Sequence, residues 1–347
     1  MASEFVPRAA FPVLNNVSRS YFLGHHKAGL DKMKQMIQNV DLIIECRDYR
    51  VPLSSTNPMF EQSLAGRERL VVFTKRDLGK GNDGARVGGL LAEPIMKKWL
   101  EPSHVLFSDH KSPGTTKKII EYTRKSARIT DSLVGSRMLI VGMPNVGKSS
   151  LLNALRREGV GKGKAAITGG QPGITRKIGT TVKISEDPVI YLLDTPGVFI
   201  PYVPNLETML KLALVGCVKD TVIPLTTLAD YLLYRLNLHD PRIYAKYSPP
   251  TNDILELLTA MAKATGRLAK GGVPELEGTA MWLLGRYRAG EMGKFILDDV
   301  SKDAYENWKK AESEAEPSAS ALRREAKRER LRVSKAKYES KNSPSVE

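Results

Sequence analysis

Gly142-Met143-Pro144-Asn145-Val146-Gly147-Lys148-Ser149 fits G-x-x-x-x-G-K-[ST], the phosphate-binding loop. The apolar run Met138-Leu139-Ile140-Val141 leads in and reads as a buried strand. Ser150-Leu151-Leu152-Asn153-Ala154-Leu155 leads out with helical spacing. That strand, loop and helix are the context the motif needs, and they disfavour a glycine-rich turn that binds nothing. Gly142 and Gly147 let the backbone wrap a phosphate with no Cβ in the way. The N–H groups from Asn145, Val146 and Gly147 on to Ser150 then face negative charge at a helix N-terminus. Lys148 is expected to reach the β- and γ-phosphates, and Ser149 to ligate Mg²⁺.

Working outward, a phosphate loop alone does not separate ATP from GTP. The strand Arg69-Leu70-Val71-Val72-Phe73 runs into Thr74-Lys75-Arg76-Asp77. A carboxylate at a strand end accepts from the guanine N1–H and amino group, an arrangement adenine lacks. Asp77 is therefore the expected guanine reader, with Lys75 packing on the base. Val105-Leu106-Phe107-Ser108 is another strand, and Ser108-Asp109-His110 closes it where a backbone contact to guanine O6 could form. Val189-Ile190-Tyr191-Leu192-Leu193 ends in Asp194-Thr195-Pro196-Gly197. Asp194 is expected to hold Mg²⁺ through water, and the Gly197 N–H to meet the γ-phosphate. Thr175 is the candidate second Mg²⁺ hydroxyl, and with Lys148 it joins the expected catalytic set. Each short motif is weak alone. Together, at strand ends, they are strong, because ligands of open α/β sheets bind there.

Strands alternate with helices through residue 204, which predicts a mostly parallel α/β sheet covered on both faces. Asp41-Leu42-Ile43-Ile44-Glu45-Cys46 is the first strand, and Thr180 to Ile184 alternates like an edge strand. Helices are expected over about 90–100 and 115–125. Residues 79–89 read as a glycine-rich loop, and 157–179 lack any apolar periodicity. From Asn205 to about Val300 the pattern is all helical, a small α domain. Residues 301–347 turn charged, with a basic run from Ala321 to Lys337.

The 347 residues carry 53 Lys and Arg against 38 Asp and Glu, a net charge of +15. An anionic partner explains that excess, and nucleic acid is the commonest one. No apolar run approaches the roughly 18 residues of a membrane span, so no transmembrane segment is expected. Cys46 and Cys217 show no C-x-x-C pattern, which argues against a zinc site or a disulfide framework. Residues 1–20 hold Arg8 and Arg19 with Glu4 as the only acid, as a mitochondrial targeting segment would. Pro7 and Pro12 interrupt the helix such a segment uses, and a plain unstructured terminus remains the other reading.

In an ordinary small GTPase the base-reading elements follow the phosphate loop, whereas here Asp77 and Ser108 precede Gly142. The same site forms if the chain is circularly permuted, since a site depends on spatial position. The chain resembles the circularly permuted GTPases that assist large ribosomal subunit assembly, over roughly residues 20–300. The resemblance rests on Phe22-Leu23-Gly24-His25, Asp48-Tyr49-Arg50-Val51-Pro52, Asn57-Pro58, Thr74 to Asp77, Gly142 to Ser150, Pro172-Gly173-Ile174-Thr175 and Asp194 to Gly197. It implies a permuted P-loop GTPase domain, then the helical domain and basic tail. It also implies GTP hydrolysis with Mg²⁺, triggered on large-subunit rRNA and proteins. Mitochondrial members are expected to sit peripherally on the matrix side of the inner membrane, and a monomer is expected.

Two positions depart from the family pattern. Thr74 stands where Asn is usual, which is expected to lower nucleotide affinity while Asp77 keeps guanine selection. Leu23 stands where Pro is usual, away from the chemistry. Val198 follows Gly197, where a Ras-type enzyme carries a water-orienting Gln, so intrinsic hydrolysis is expected to be slow. His25 and His26 adjoin in sequence and point apart, which disfavours a shared metal, and on the residues alone a packed or solvated pair is favoured. The resemblance offers His25 for catalysis and Asn145 for holding K⁺ at the phosphates. A nucleotide-sensing RNA-binding module with incidental hydrolysis is the competing reading. A P-loop ATPase or kinase leaves Asp77 unexplained.

Overall fold

Six apolar runs become the strands of one sheet: β1 (Leu42–Asp48), β2 (Arg69–Thr74), β3 (His104–Phe107), β4 (Ser136–Gly142), β5 (Thr181–Glu186) and β6 (Val189–Asp194). Their order across the sheet is β3-β2-β1-β4-β6-β5. Every pairing is parallel except that of β5, which runs antiparallel to β6 at the edge. The computed structural model describes residues 5–12, 36–58, 67–79, 86–87, 90–109, 112–130, 135–163, 181–195, 203, 205–314 and 330. The central strands β1 and β4 are buried along almost their whole length, β4 as an apolar run and β1 with Glu45, Arg47 and Asp48 buried among its apolar residues. The edge strand β5 is partly exposed, which is why it alternates.

Helices α1 (Ala92–Trp99), α2 (Pro113–Thr130) and α3 (Lys148–Val160) connect the strands. The helix expected from residue 90 starts later, because Leu90–Leu91 pairs with Arg86–Val87 in a two-residue antiparallel ribbon. α3 packs on α2 and on β5. The approach to β5 is so close that a Cβ on Gly159 would sit 1.8 Å from the Ile184 carbonyl oxygen, so only glycine fits.

Beyond the sheet come α4 (Leu206–Leu214), α5 (Leu225–His239), a 3₁₀ turn (Pro241–Tyr244), α6 (Ile254–Thr265), α7 (Leu276–Arg288) and α8 (Ala304–Glu314). The side chain of Asn205 caps α4 by accepting from the Glu207 N–H, and that of Asp253 caps α6 by accepting from the Leu255 N–H. Gly266 ends α6 at φ 70°, in the left-handed region. α7 packs against α5 and α6. One hydrophobic cluster runs without a break from Ile44 and Ile140 of the sheet to Leu232, Leu258 and Leu283 of these helices. Residues 1–305 form one compact unit and 306–347 another. α8 falls in the stretch read from sequence as charged tail.

Near the N-terminus, Arg8 makes two hydrogen bonds to the Asp230 carboxylate on α5, at 2.7 and 3.1 Å. Phe11 meets Tyr231 edge-on at 5.2 Å between ring centroids. The glycine-containing loop around His25 and the basic run 321–337 apart from Arg330 lie outside the described residues.

Candidate functional site

The site lies at the C-terminal ends of the parallel strands, where β2, β1, β4 and β6 finish side by side. β4 leads into the loop Gly142–Gly147 and α3 begins at Lys148. The loop needs unusual backbone: Gly142 has φ 146° and Gly147 φ 95°, and a Cβ on Gly142 would sit 2.4 Å from the Cys46 carbonyl oxygen. Asn145, which has a Cβ, also sits at φ 56°.

Lys148 is buried and turns back on its loop, donating to the carbonyls of Met143 at 2.7 Å and Gly142 at 3.2 Å. Burial lowers its pKa, and the nearby Asp194 carboxylate works against that. Asp194, at the end of β6, is shifted the opposite way: burial raises its pKa, while Lys148 and the Ser149 hydroxyl pull it down. Ser149 Oγ donates to Asp194 Oδ2 at 3.0 Å. Asp194 Oδ1 is buried and makes no hydrogen bond among the described residues. A hydroxyl and a carboxylate with an unsatisfied oxygen, at the head of a phosphate loop, fit Mg²⁺, a hard cation that takes oxygen ligands. The two residues would hold it, and it would neutralise phosphate charge there.

At the base end, Thr74 closes β2 with its hydroxyl between the carbonyls of Arg47 and Val146. It thus ties the base-reading strand to the phosphate loop through one proton. Lys75 sits at φ 55° and its ammonium donates to the Asn145 carbonyl and to Asp48 Oδ2. The expected packing of Lys75 on a base is therefore joined by a bond to the phosphate loop. Asp77 lies in the single helical turn Arg76–Gly79 that follows. The Ser108 carbonyl accepts from the Arg76 N–H at 3.1 Å, which closes the ends of β2 and β3 on each other. Asp109 follows, its N–H donating to Thr115 Oγ1.

The fold thus brings Thr74, Lys75, Asn145, Val146, Gly147, Lys148, Ser149, Ser150 and Asp194 into one site, with Asp77, Ser108 and Asp109 on the adjoining strand ends. His25, Thr175 and Gly197 lie outside the described residues. Asp48 and Arg50, which carry no role legible from the sequence, also join this site through Lys75. Their one signal is local: an apolar strand that ends in Asp-x-Arg buries two charges, and buried charges are paired. The reach of Asn145 to the Gly216 carbonyl, 2.8 Å from its Nδ2, left no trace in the sequence.

Comparison with known proteins follows the same outline. A family described as 50S ribosome-binding GTPase matches residues 137–263. Mitochondrial GTPase 1 of Schizosaccharomyces japonicus is 35% identical over 302 residues, which is 83% of this chain and 92% of that protein. Mitochondrial ribosome-associated GTPase 1 of Bos taurus is 35% identical over 317 residues, 84% of this chain and 92% of that protein. Among solved structures, GNP-bound YlqF from T. maritima matches with a TM-score of 0.51 at 22% identity, over 78% of this chain and 97% of that one. That likeness bears on the fold alone.

Proposed function

The chain belongs to the family of mitochondrial ribosome-associated GTPases, and on that premise we propose that its GTP hydrolysis serves assembly of the mitochondrial large ribosomal subunit. The observation that carries the chemistry is the Ser149 hydroxyl 3.0 Å from the Asp194 carboxylate, at the head of the helix that bears Lys148. Those three groups would hold a Mg²⁺-bound β,γ-phosphate pair. Asp77 reads guanine, Ser108 and Asp109 border the base, and Gly197 meets the γ-phosphate. Thr175 supplies a second hydroxyl to Mg²⁺.

Hydrolysis is slow on the isolated protein, since Val198 offers the attacking water no hydrogen bond. His25 orients that water when a ribosomal particle is bound. Asn145 holds K⁺ at the phosphates: its Nδ2 is turned to Gly216, so its oxygen faces away from that carbonyl. A K⁺ there adds the charge an arginine finger supplies elsewhere. The partner is large-subunit rRNA with its proteins, which answers the net charge of +15. The protein acts as a monomer in the mitochondrial matrix, peripherally at the inner membrane. No described helix is long and apolar enough to cross a membrane.

The test is GTP turnover with and without mitochondrial large subunits, in K⁺ and in Na⁺. Turnover should rise with both the particle and K⁺. Binding without stimulated turnover would favour the nucleotide-sensing RNA module over the enzyme.

A further inference from the structure

The Asp48-Tyr49-Arg50 turn stands between the phosphate loop and the helices. Asp48 is fully buried. Its Oδ2 accepts from Lys75 Nζ at 2.9 Å and from Arg50 Nη2 at 2.8 Å, and its Oδ1 accepts from Arg50 Nε and from the Arg50 N–H, both at 3.0 Å. One carboxylate thus serves two cations that face different parts of the molecule.

Lys75 carries the contact toward the nucleotide. Its ammonium donates to the Asn145 carbonyl, and both residues hold left-handed backbone, φ 55° and 56°. Side-chain residues avoid that region unless their surroundings hold them there. Arg50 carries the contact toward the helices. Its Nη2 reaches the Val215 carbonyl at 3.4 Å, its guanidinium lies 5.9 Å from the Tyr287 ring centroid, and its own carbonyl accepts from the Leu297 N–H at 2.7 Å. Asn145 independently grips the next carbonyl, Gly216. The turn after α4 is therefore joined to the phosphate loop by two routes, Asn145 directly and Lys75–Asp48–Arg50 through the sheet.

We propose that Asp48 is a positioning residue of the GTP site, which fixes Lys75 and the Asn145 turn and, through Arg50, makes the packing of the α4 end against α7 part of the nucleotide affinity. This rests on the nucleotide occupying Gly142–Ser149 and the strand ends at Thr74–Asp77. Coupling between sites is reciprocal. The helices set how tightly nucleotide binds, and nucleotide sets how firmly residues 213–218 are held. Asp48 touches no reacting atom, so its loss acts on binding and leaves the hydrolytic step alone.

The experiment uses the full chain and fluorescent GDP, with amide hydrogen exchange over residues 213–218 read with and without GDP. Asp48→Asn keeps the shape and removes the charge. It should weaken GDP by about tenfold or more, the worth of a charge-assisted hydrogen bond, and should raise KM for GTP with kcat little changed. Glu45→Gln, three residues back on the same strand, should bind GDP as the parent does. Arg50→Lys keeps a cation beside Asp48 without the guanidinium fork, and should remove the GDP-dependent protection of 213–218.

Asp48→Asn binding GDP as tightly as Glu45→Gln overturns the proposal and leaves Asp48 a structural ion-pair member. If Asp48→Asn does not fold, Arg50→Lys decides, and GDP-dependent protection that persists in it overturns the link. Failure of the parent itself to bind GDP would remove the site reading on which the proposal stands, a different result from unequal binding among variants.

Discussion

β1 feeds two buried charge clusters, one from each face, and they differ in where their partners lie. On one face Glu45 Oε1 accepts from Arg47 Nε at 2.6 Å and its Oε2 from Arg69 Nη1 at 3.1 Å. Arg47 Nη1 goes on to Thr56 Oγ1 at 2.8 Å. Beside them on that face pack Ile43, Leu139 and Val141. On the other face Asp48 gathers Arg50 and Lys75 and passes them to the phosphate loop and the helices. Both clusters are buried, and burial alone does not tell them apart. What separates them is that the first reaches β2, Thr56 and, through Arg69, Ser103 ahead of β3, while the other ends on phosphate-loop backbone at the Asn145 carbonyl. A buried ion pair becomes a candidate for function through the groups at its far end.

The largest expected effect lies at that far end. Lys148→Ala should weaken GTP by about a hundredfold or more, since charge-assisted contacts to the β- and γ-phosphates go, and GDP by about tenfold, since only the β contact is lost. At a fixed GDP concentration the rise in melting temperature should then be smaller than the parent's, because stabilisation by a ligand grows with the ratio of its concentration to its Kd. Isothermal titration and a melting curve with GDP check both. Unchanged GDP affinity would put the nucleotide elsewhere and leave the two clusters of β1 without a functional distinction.

Next is Glu45→Gln, which leaves the Arg47 and Arg69 guanidiniums facing a neutral amide. Removing one partner of a buried pair costs about 3–5 kcal/mol, with the lower end expected because Arg69 is partly exposed. Urea unfolding should show that loss while fluorescent GDP binding stays at the parent level. A loss of GDP affinity here would erase the difference between the two faces.

A smaller effect is expected from pH. Burial by itself would raise the Asp48 carboxyl, but the Arg50 and Lys75 charges and their hydrogen bonds outweigh it and hold the group well below its ordinary 3.8. A depressed folded-state pKa adds stability that is fully present above the ordinary value and is lost as pH falls through the folded one. The stability gap between the parent and Asp48→Asn should therefore be constant near neutral pH and shrink once pH drops below about 4. Urea midpoints between pH 3 and 7 measure it, and a gap that widens toward acid would contradict the ion-pair account.

Much of this was legible before the fold was known. The runs ending at Cys46, Phe73, Val141 and Leu193 all became parallel strands of one sheet, because strands buried on both faces are mostly apolar. The phosphate loop was legible because its glycines, lysine and serine are consecutive. Asp48 was not, because its role is made by partners distant in sequence: Lys75 is 27 residues away, and Arg50 reaches a carbonyl 165 residues on. Local patterns carry no such information. Helix α8 was passed over for another reason: charged residues dominate it and few apolar positions mark a face.

The smallest effect comes from a third ion pair, which sets the scale for the other two. Arg8 and Asp230 are paired at 2.7 Å, but their side chains keep 23% and 20% of their exposure. Water screens such a pair, so its worth is expected near the top of the exposed range, about 1 kcal/mol. The Arg8 guanidinium also lies 5.6 Å from the Phe11 ring centroid and 5.9 Å from that of Tyr234, contacts that add packing without depending on the carboxylate. Arg8→Ala should thus cost little more than about 1 kcal/mol in urea unfolding. Added salt discriminates the two kinds of pair. Between 0.1 and 1 M the screening length falls from about 10 to about 3 Å. The Arg8→Ala penalty should shrink over that range to what the ring contacts leave, whereas the Glu45→Gln penalty should hold, because ions do not enter the sheet. Asp230→Asn separates the terms, since it removes the charge and spares the rings. A salt-insensitive Arg8→Ala penalty that Asp230→Asn does not reproduce would mean that residues 5–12 are held by Phe11 and the tyrosines, with the ion pair contributing nothing measurable.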